Sequence, residues 1–206
     1  MALPYKDFIM VETRTRNREA THAALLEAAK ITLAEQGFQN FGVNAVARQA
    51  GCDKQLIYRY FGGLDGLLEA MGGDVATWLG APPTAVPGTT YGEWAANLAD
   101  AYMMALRANP LLQKLILWEL SAAPGTLAPL TQARSRAMMQ WVAAARGELE
   151  MPTDAGLINA VLVAAIQQFV LSAAVSGSFS GLPLREDADW DHLRAGLRSL
   201  VLRLYS

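Results

Sequence analysis

The chain has 206 residues, of which 52% are hydrophobic and 17% are charged, so it has enough apolar material for a buried core and is not intrinsically disordered. The net charge is only −2, and the single cysteine excludes an intramolecular disulfide and fits a reducing cytoplasm. No Cys/His spacing indicates a metal site, and we expect no cofactor.

Basic residues are concentrated in the first third of the chain. Residues 12–59 contain seven Lys or Arg and five Asp or Glu, an excess of two basic residues. Residues 60–206 contain nine Lys or Arg and thirteen Asp or Glu. This local excess gives weak support for nucleic-acid binding by the first third. The N-terminus lacks the apolar run of a signal peptide, and the most apolar segment, residues 157–166, is too short to span a membrane, so we expect a soluble protein without a membrane partner.

The first predicted elements are an arm and three helices. Residues 1–15 have no periodicity and are predicted to form a flexible arm. Leu25, Ala29 and Leu33 are spaced four apart and indicate a first helix over residues 16–36.

The next two helices are predicted to form a helix-turn-helix. Val43, Val46, Ala47 and Ala50 share one helical face, and Gly51 can end that helix in a left-handed conformation. Asp53 is a suitable N-cap for the following helix, in which Ile57 and Phe61 form the apolar side. The other side of this short helix carries Lys54, Gln55, Tyr58, Arg59 and Tyr60, and hydrogen-bond donors of this kind suit a DNA surface.

The remainder of the chain is predicted to be helical, with no strand pattern. Helices are expected over residues 64–79, 91–108, 111–123, 127–149 or 129–149, 156–175 and 189–204. The proline-rich stretch 80–90 is predicted to be a linker, and residues 176–187 are predicted to be a loop. The fold class is therefore all-α, with about nine helices.

The span GFQNFGVNAVARQAGCDKQLIYRYFGGLDGLL resembles the DNA-binding region of TetR-type transcriptional regulators. The matching elements are Val46-Ala47, Ala50-Gly51, Ile57-Tyr58 and Tyr60-Phe61. The resemblance implies a helix-turn-helix DNA-binding domain over residues 16–61. It also implies a helical regulatory and dimerisation domain over residues 62–206, in which the last two helices form a homodimer.

The predicted DNA contacts come partly from side-chain chemistry and partly from the resemblance. Lys54 can bind a phosphate or a guanine, and the amide of Gln55 can pair with adenine. The resemblance implies phosphate contacts for Tyr58 and Tyr60, and a base or phosphate contact for Asn44, which can alternatively cap its helix. Arg59 is a further candidate, and Arg14, Arg16 and Arg18 either contact DNA or form a solvated lead-in to the first helix.

The chain departs from the family pattern at several positions that usually contact phosphate. Gly42, Asp53, Gln55, Leu56 and Leu64 occupy places where the family usually has hydroxyl, small or lysine side chains. Each lost phosphate contact is expected to reduce the salt dependence of DNA binding by about 0.9 in log–log slope.

Large flexible side chains in residues 62–206 indicate an adaptable apolar ligand cavity, although each of them is also a candidate core residue. Gln167, Gln168 and Glu119 are the few polar groups expected near it. The predicted ligand-binding residues are Trp78, Trp94, Tyr102, Met103, Trp118, Met138, Trp141 and Phe169.

The eighth predicted helix is apolar on nearly all sides, which indicates that a second surface covers it. A homodimer would read a palindromic operator with half-sites about 34–36 Å apart or at a larger multiple. The predicted interface residues are Ala160, Val163, Ala164, Leu171, Ala174, Leu197 and Val201.

These features predict a dimeric regulator, most simply a repressor that binds a double-stranded DNA operator and is released by a small, largely apolar effector. No catalytic motif is present, so we do not expect an enzyme. Two alternatives stay open. One is an all-α ligand-binding protein or enzyme, and the other is a family member whose helix-turn-helix no longer binds DNA specifically.

Overall fold

The computed structural model of the chain describes residues 5–74, 78–123 and 125–206, and the side chains from residue 17 onward. Within these ranges it contains nine α-helices, a short 3-10 helix over Phe38–Asn40 and one pair of very short strands, which confirms the predicted all-α class. The helices are α1 (Tyr5–Gln36), α2 (Val43–Gln49), α3 (Lys54–Phe61), α4 (Leu64–Gly73), α5 (Tyr91–Ala108), α6 (Pro110–Ser121), α7 (Ala128–Arg146), α8 (Ala155–Ser176) and α9 (Asp187–Leu204).

The chain divides into two compact units. Unit 1 contains Met1–Gly73 and Ala122–Ser135, and unit 2 contains Asp74–Ser121 and Arg136–Ser206. The expected functional boundary after residue 61 therefore lies inside unit 1, which also includes α4 and the first turns of α7. Helix α7 contributes residues to both units.

Unit 1 is built around the apolar faces of four helices. Helix α1 packs on α2 and α4, and α3 packs on α2 and α4. Leu25, Ala29 and Leu33 recur every four residues on α1 and are almost completely buried. Val46 of α2 and Ile57 of α3 have no exposed surface. The spacing of these apolar residues thus defines the core side of each helix.

Unit 2 is centred on α5, which packs against α6, α8 and α9. Polar pairs join α5 to α9 along their length. Arg194 donates two hydrogen bonds to Asp100 at 2.6 and 2.8 Å, and Arg107 donates one to Asp187 at 2.7 Å. The Asp100 carboxylate raises the pKa of Arg194, so the guanidinium stays charged. All five tryptophans of the chain, Trp78, Trp94, Trp118, Trp141 and Trp190, lie in unit 2.

The proline-rich linker after residue 79 is non-helical, as predicted, and it is attached to unit 2 by hydrogen bonds. The indole N–H of Trp94 donates to the Pro83 carbonyl at 3.1 Å, and that of Trp141 donates to the Gly80 carbonyl at 2.9 Å. The Ala85 amide donates to the Ala145 carbonyl at 3.0 Å. The linker is therefore held along its length.

Two helix boundaries differ from the predictions. The first helix begins at Tyr5, within the expected flexible arm, rather than at Arg16. Helix α4 ends at Gly73 and Asp74 is non-helical, although Trp78 and Leu79, at the end of the expected helix, are helical again. The adjacent Gly72 and Gly73 both have low helix propensity, and the apolar residues beyond them concealed this stop signal. Val75, expected on the apolar face of this helix, lies outside the described residues.

The predicted loop between α8 and α9 contains a small β-hairpin, so the absence of strands predicted there was wrong. Strand β1 (Ser178–Phe179) pairs antiparallel with β2 (Leu182–Pro183). Ser180 and Gly181 between them have φ values of 47° and 81°, the signs of a type I′ turn. Strands of two residues are too short to show an alternating apolar pattern, although the Ser-Gly pair is a turn signal.

Helix α8 is apolar around most of its circumference. The helix has 22 residues and is long and apolar enough to cross a membrane. The shorter apolar segment read from the sequence, residues 157–166, is not. Only 22% of its most apolar window is buried, and core helices of soluble proteins satisfy the same length and composition test. Most of this helix therefore exposes apolar surface that another surface can cover.

The N-terminus of α5 is stabilised by a capping box that can be tested by mutation. The Thr90 hydroxyl accepts a hydrogen bond from the Glu93 amide at 3.2 Å, and Glu93 accepts one from the Thr90 amide at 2.9 Å. We expect Thr90→Ala to lower the free energy of unfolding by about 1 kcal/mol, because the first turn loses a capping acceptor. Urea unfolding followed by circular dichroism measures this. An equal loss for Thr89→Ala, which changes the neighbouring threonine, would contradict the assignment.

Candidate nucleic-acid interface and unit 2 cavity

The turn between α2 and α3 positions the second of these helices. Gly51 has a φ of 64°, and the Cys52 amide donates to the Ala47 carbonyl at 3.0 Å. One carboxylate oxygen of Asp53 accepts a hydrogen bond from the Gln55 amide at 2.8 Å. Asp53 is thus the N-cap that the sequence predicts, and α3 begins at Lys54.

The orientation of α3 is set by Ile57, which has no exposed surface. Because opposite sides of a helix point in opposite directions, the polar side of α3 faces solvent. The predicted DNA-contacting side chains of Lys54, Gln55, Tyr58 and Arg59 are exposed, and Tyr60 is half-buried. The structure therefore places the cationic, amide and phenolic groups of α3 together on unit 1.

The end of α3 brings a tyrosine against a glycine. Gly63 has a φ of 130°, a conformation that favours glycine, and a Cβ atom at this position would lie 3.4 Å from the Tyr58 ring. Tyr58 keeps 50% of its surface exposed. The glycine lets the ring lie close to the backbone while half of the side chain stays exposed.

A contact that the sequence did not reveal joins α1 to the end of α3. The His22 ring lies 4.6 Å from the Phe61 ring and 6.4 Å from the Tyr60 ring, measured between centroids. His22 is isolated in the sequence, and only the fold brings it to these aromatic residues. It supports the helix end that carries Tyr60.

The start of α2 lacks a side-chain cap. Its N-cap residue is Gly42, whose φ of 177° is extended backbone that any residue can adopt. A Cβ atom at this position would have nothing within 4 Å. Asn44 is exposed on the first turn, and it is not the N-cap. Leu56 and Leu64, two other departures from the family pattern, are half-buried.

Unit 2 contains a small apolar cavity of about 80 Å³ among α5, α7 and α8. Three predicted ligand-binding residues, Tyr102, Met138 and Trp141, line it. The lining residues that the sequence did not predict to bind a ligand are Ala95, Leu98, Ala99, Val142, Asn159, Leu162, Ile166 and Val163, which was predicted for the dimer interface instead. Small and aliphatic side chains carry no signal that separates a cavity wall from a core.

The other predicted ligand-binding residues lie elsewhere. Trp78, Trp94 and Met103 are buried in the core, and Trp118 does not line this cavity. Phe169 packs edge-on against Phe179 at 5.3 Å and borders a separate groove. Three of the eight predicted ligand-binding residues therefore line this cavity, and the ligand contacts of all eight stay a prediction.

Hydrogen-bonded side chains border the cavity. The Gln167 amide donates to the Tyr102 hydroxyl at 2.8 Å. Asn159 donates to the Tyr91 hydroxyl at 2.9 Å and accepts from the Tyr205 hydroxyl at 2.8 Å. Burial and the adjacent Tyr91 raise the pKa of Tyr205 to about 12, so the Tyr205 hydroxyl keeps its proton at neutral pH.

The predicted dimer residues divide into an exposed set and a buried set. Ala160, Val163, Ala164 and Ala174 are exposed on α8. In contrast, Leu171, Leu197 and Val201 are buried within the chain itself, and Leu197 also borders a groove beside α9.

Further apolar side chains complete the exposed surface of these helices. Leu157, Val161 and Val175 are 72%, 60% and 78% exposed on α8, and Leu200 is 50% exposed on α9. A groove of about 390 Å³ lies beside them, between the hairpin and α9. Leu182, Leu193, Gly196 and Leu200 are among its walls.

The acidic run before α9 is explained by helix capping. Asp189 accepts hydrogen bonds from the Glu186 and Arg185 amides at 3.0 Å each, and these bonds lower the pKa of its carboxyl. Among the residues that the structure describes, no three His, Cys, Asp or Glu side chains are grouped to hold a metal ion.

Residues 25–71, which contain most of this helix-turn-helix, match the family described as bacterial regulatory proteins, tetR family. The chain is thus similar to the tetR family over these residues. It is 32% identical over 108 residues to the HTH-type transcriptional repressor SCO4008 of Streptomyces coelicolor. This match covers 50% of the chain and 52% of that relative, so the chain spans about half the length of the curated relative that it matches. The family and this relative are regulators of transcription, not enzymes.

Solved structures of TetR-family regulators share the fold over most of both chains. FadR from Bacillus subtilis, in complex with stearoyl-CoA, is 16% identical, with a TM-score of 0.62 and coverage of 87% of this chain and 97% of that one. A TetR transcriptional regulator from Rhodococcus sp. RHA1 is 21% identical, with a TM-score of 0.58 and coverage of 93% and 99%. At these identities the likeness concerns the fold.

The N-cap of α3 gives a prediction that separates its structural role from its charge. We expect Asp53→Ala to lower the free energy of unfolding by about 1 kcal/mol, and Asp53→Asn to change it by only a few tenths, because asparagine caps as well as aspartate. Urea unfolding followed by circular dichroism is the measurement. Equal losses for both variants would show that the cap bond to Gln55 is not what stabilises this helix.

Proposed function

We propose that this chain is a TetR-type, effector-responsive transcriptional repressor that binds a palindromic operator as a homodimer in the cytoplasm. The observation that carries the proposal is the exposed polar side of α3, with Lys54 and Gln55 at its start and Tyr58 and Arg59 one turn later. In a helix-turn-helix, the N-terminal residues of the second helix contact base edges in the major groove. Lys54 and Gln55 occupy that part of α3.

Each group on this surface has a contact that its chemistry favours. The Gln55 amide can form paired hydrogen bonds with adenine, and Lys54 can bind guanine or a phosphate. Tyr58, Arg59 and Tyr60 can donate to phosphates, which fixes the position of the protein on the duplex without reading its sequence. Asn44 on α2 adds a base or phosphate contact. We assign base readout mainly to Lys54 and Gln55, at the start of α3.

The affinity of this surface is expected to be reduced at two positions. Asp53 places a carboxylate at the helix start, where it repels phosphate, and Gly42 offers no hydroxyl. A plot of the logarithm of the binding constant against the logarithm of the salt concentration becomes shallower by about 0.9 for each missing phosphate contact. We therefore infer a weaker and less salt-dependent DNA complex than the full set of family contacts would give.

The cavity among α5, α7 and α8 is proposed as the effector site. Its walls are almost entirely apolar, and its border groups, Asn159, Gln167 and Tyr102, are uncharged at neutral pH. An uncharged, largely apolar ligand suits such walls. A similar fold in Bacillus subtilis FadR was solved with stearoyl-CoA, a far larger molecule than the 80 Å³ cavity admits. The effector proposed here is accordingly compact.

The exposed apolar surface of α8, with the adjacent part of α9, is proposed as the homodimer interface. Ala160 and Ala164 are small and would let a second helix approach closely, and Leu157 and Val161 add apolar area. A two-fold symmetric dimer presents two copies of α3 and therefore favours a palindromic operator. Burial of α8 in the dimer also accounts for its apolar character without a membrane.

Base readout by α3 can be tested with duplex DNA selected from a random pool by the purified wild-type chain. We expect Lys54→Ala and Gln55→Ala each to reduce discrimination against single-base changes by roughly tenfold, because a paired base contact is worth about 1–3 kcal/mol. Titration of labelled duplexes at several salt concentrations separates this effect from the loss of a phosphate contact.

The matched controls for these substitutions are Lys114→Ala and Gln140→Ala, which remove the same side chains from exposed positions of unit 2. Both controls are expected to keep wild-type discrimination. Selection that enriches no duplex would overturn the repressor proposal and favour a family member without specific DNA binding.

The dimer proposal predicts that a charge on the exposed side of α8 dissociates the protein. Ala164→Glu is expected to halve the mass measured by sedimentation, because a carboxylate buried in an apolar interface has no compensating partner. Ala144→Glu, the same change at an exposed position of α7, is expected to leave a dimer. A wild-type chain that sediments as a monomer would refute the dimer, and flotation with lipid vesicles would assign the α8 surface to a membrane instead.

A further inference from the structure

The imidazole of His22, on α1, lies beside the predicted DNA-binding surface. Its ring centroid is 4.6 Å from that of Phe61, with 40° between the planes, and 6.4 Å from that of Tyr60, with 56° between the planes. Tyr60 and Phe61 end α3, and all three residues belong to unit 1. The position of the imidazole relative to the polar side of α3 is therefore set within one compact unit.

The ring nitrogens of His22 are open to a ligand. The side chain is half-buried, and within the described part of the chain it has ring contacts but no hydrogen bond or ion pair. Neither nitrogen is among the buried polar atoms that lack a partner there, so both contact solvent. An imidazole offers one N–H donor when it is neutral and two when it is charged. His22 thus packs its ring against Phe61 and keeps hydrogen-bond donors at the surface.

The charged side chains around His22 are balanced in sign. One turn before it on α1 lie Arg18 and Glu19, and the helices of unit 1 that pack together here add Arg48 of α2, Arg59 of α3, and Asp65 and Glu69 of α4. All of these side chains are exposed, and the Tyr60 phenol faces the imidazole directly. Three carboxylates are therefore matched by three guanidinium groups, whereas the phosphates of bound DNA all carry charge of one sign.

We propose that His22 is a further phosphate-contacting residue of this surface, and that its charged form makes DNA binding stronger as the pH falls. The inference rests on the proposed function, in which Tyr60 donates to a phosphate. An imidazolium beside that hydroxyl donates to the same phosphate or to its neighbour on the strand, and a charged donor forms the stronger hydrogen bond. Histidine is the side chain that ordinarily changes its charge between about pH 5 and pH 8. Binding is thus strongest at low pH and loses this contact as the pH rises.

The wild-type chain and the duplex that it selects from a random pool provide the first test, because no variant has to fold. Labelled duplex is titrated at about pH 6 and about pH 8, at several salt concentrations. We expect roughly tenfold tighter binding at the lower pH, the effect of a hydrogen bond to a charged group. The log–log plot of binding constant against salt concentration is expected to be steeper there by about 0.9 for each bound subunit. An affinity or a slope that does not change with pH would overturn the inference.

The two histidines of the chain allow a matched pair of substitutions. His22→Gln removes the charge and is expected to abolish the response to pH, so that it binds at both pH values as weakly as the wild-type chain does at the higher one. His192→Gln makes the same change at an exposed position of α9 in unit 2 and is expected to keep the full response. A response that survives in His22→Gln, or that disappears in His192→Gln, would contradict the assignment to His22.

Two further variants separate the charge of His22 from the packing of its ring. His22→Phe keeps an aromatic ring against Phe61 but has no N–H, and we expect it to bind as weakly as His22→Gln. His22→Arg carries a permanent charge and is expected to bind tightly at both pH values. Wild-type affinity at low pH in His22→Phe would show that His22 acts only through packing, which overturns the inference. Selection that enriches no duplex is a failure of the proposed function itself, and it is seen before the pH is varied.

Discussion

The burial of one side of α3 is the constraint on which the DNA-binding surface depends. Helix α3 has only eight residues, and Ile57 is the one that is fully buried. Its contact with the core leaves a single orientation of the helix, in which the polar groups of the other side face solvent together. Asp53 fixes where the helix begins, and Gly62 and Gly63 fix where it ends. Core packing therefore determines the arrangement of groups that never enter the core.

Glycines act differently in the two halves of unit 1. At Gly51, Gly62 and Gly63 they supply backbone conformations with positive φ, which turn the chain sharply between helices. At Gly66 and Gly72 they lie within α4 and allow neighbouring backbone atoms to approach. The sequence alone does not separate these roles, because both appear as glycine near a helix boundary. Only the close approach turns Gly72 from a weak helix former into a point of contact.

The sequence predicted most helices because their apolar residues recur every three or four positions and their ends carry Gly, Pro or Asp. The prediction of element boundaries failed where a local stop signal lay within a longer apolar pattern. The apolar residues after Gly73 concealed the end of α4, and two-residue strands left no periodicity to read. The polar side of α3 followed from its pattern, whereas the cavity walls did not, since Ala99 or Leu162 resembles any core residue. Leu171, Leu197 and Val201 show the same limit, because an apolar stripe does not distinguish a core from an interface.

The uneven placement of tryptophan has a spectroscopic consequence. Because all five indoles lie in unit 2, tryptophan fluorescence reports on that unit and hardly responds to unfolding of the helix-turn-helix. Circular dichroism monitors the helices of both units. Denaturation curves from the two signals will coincide if the units unfold together and separate if one melts first. The chain thus carries its own reporter for whether its two units fold as one cooperative body.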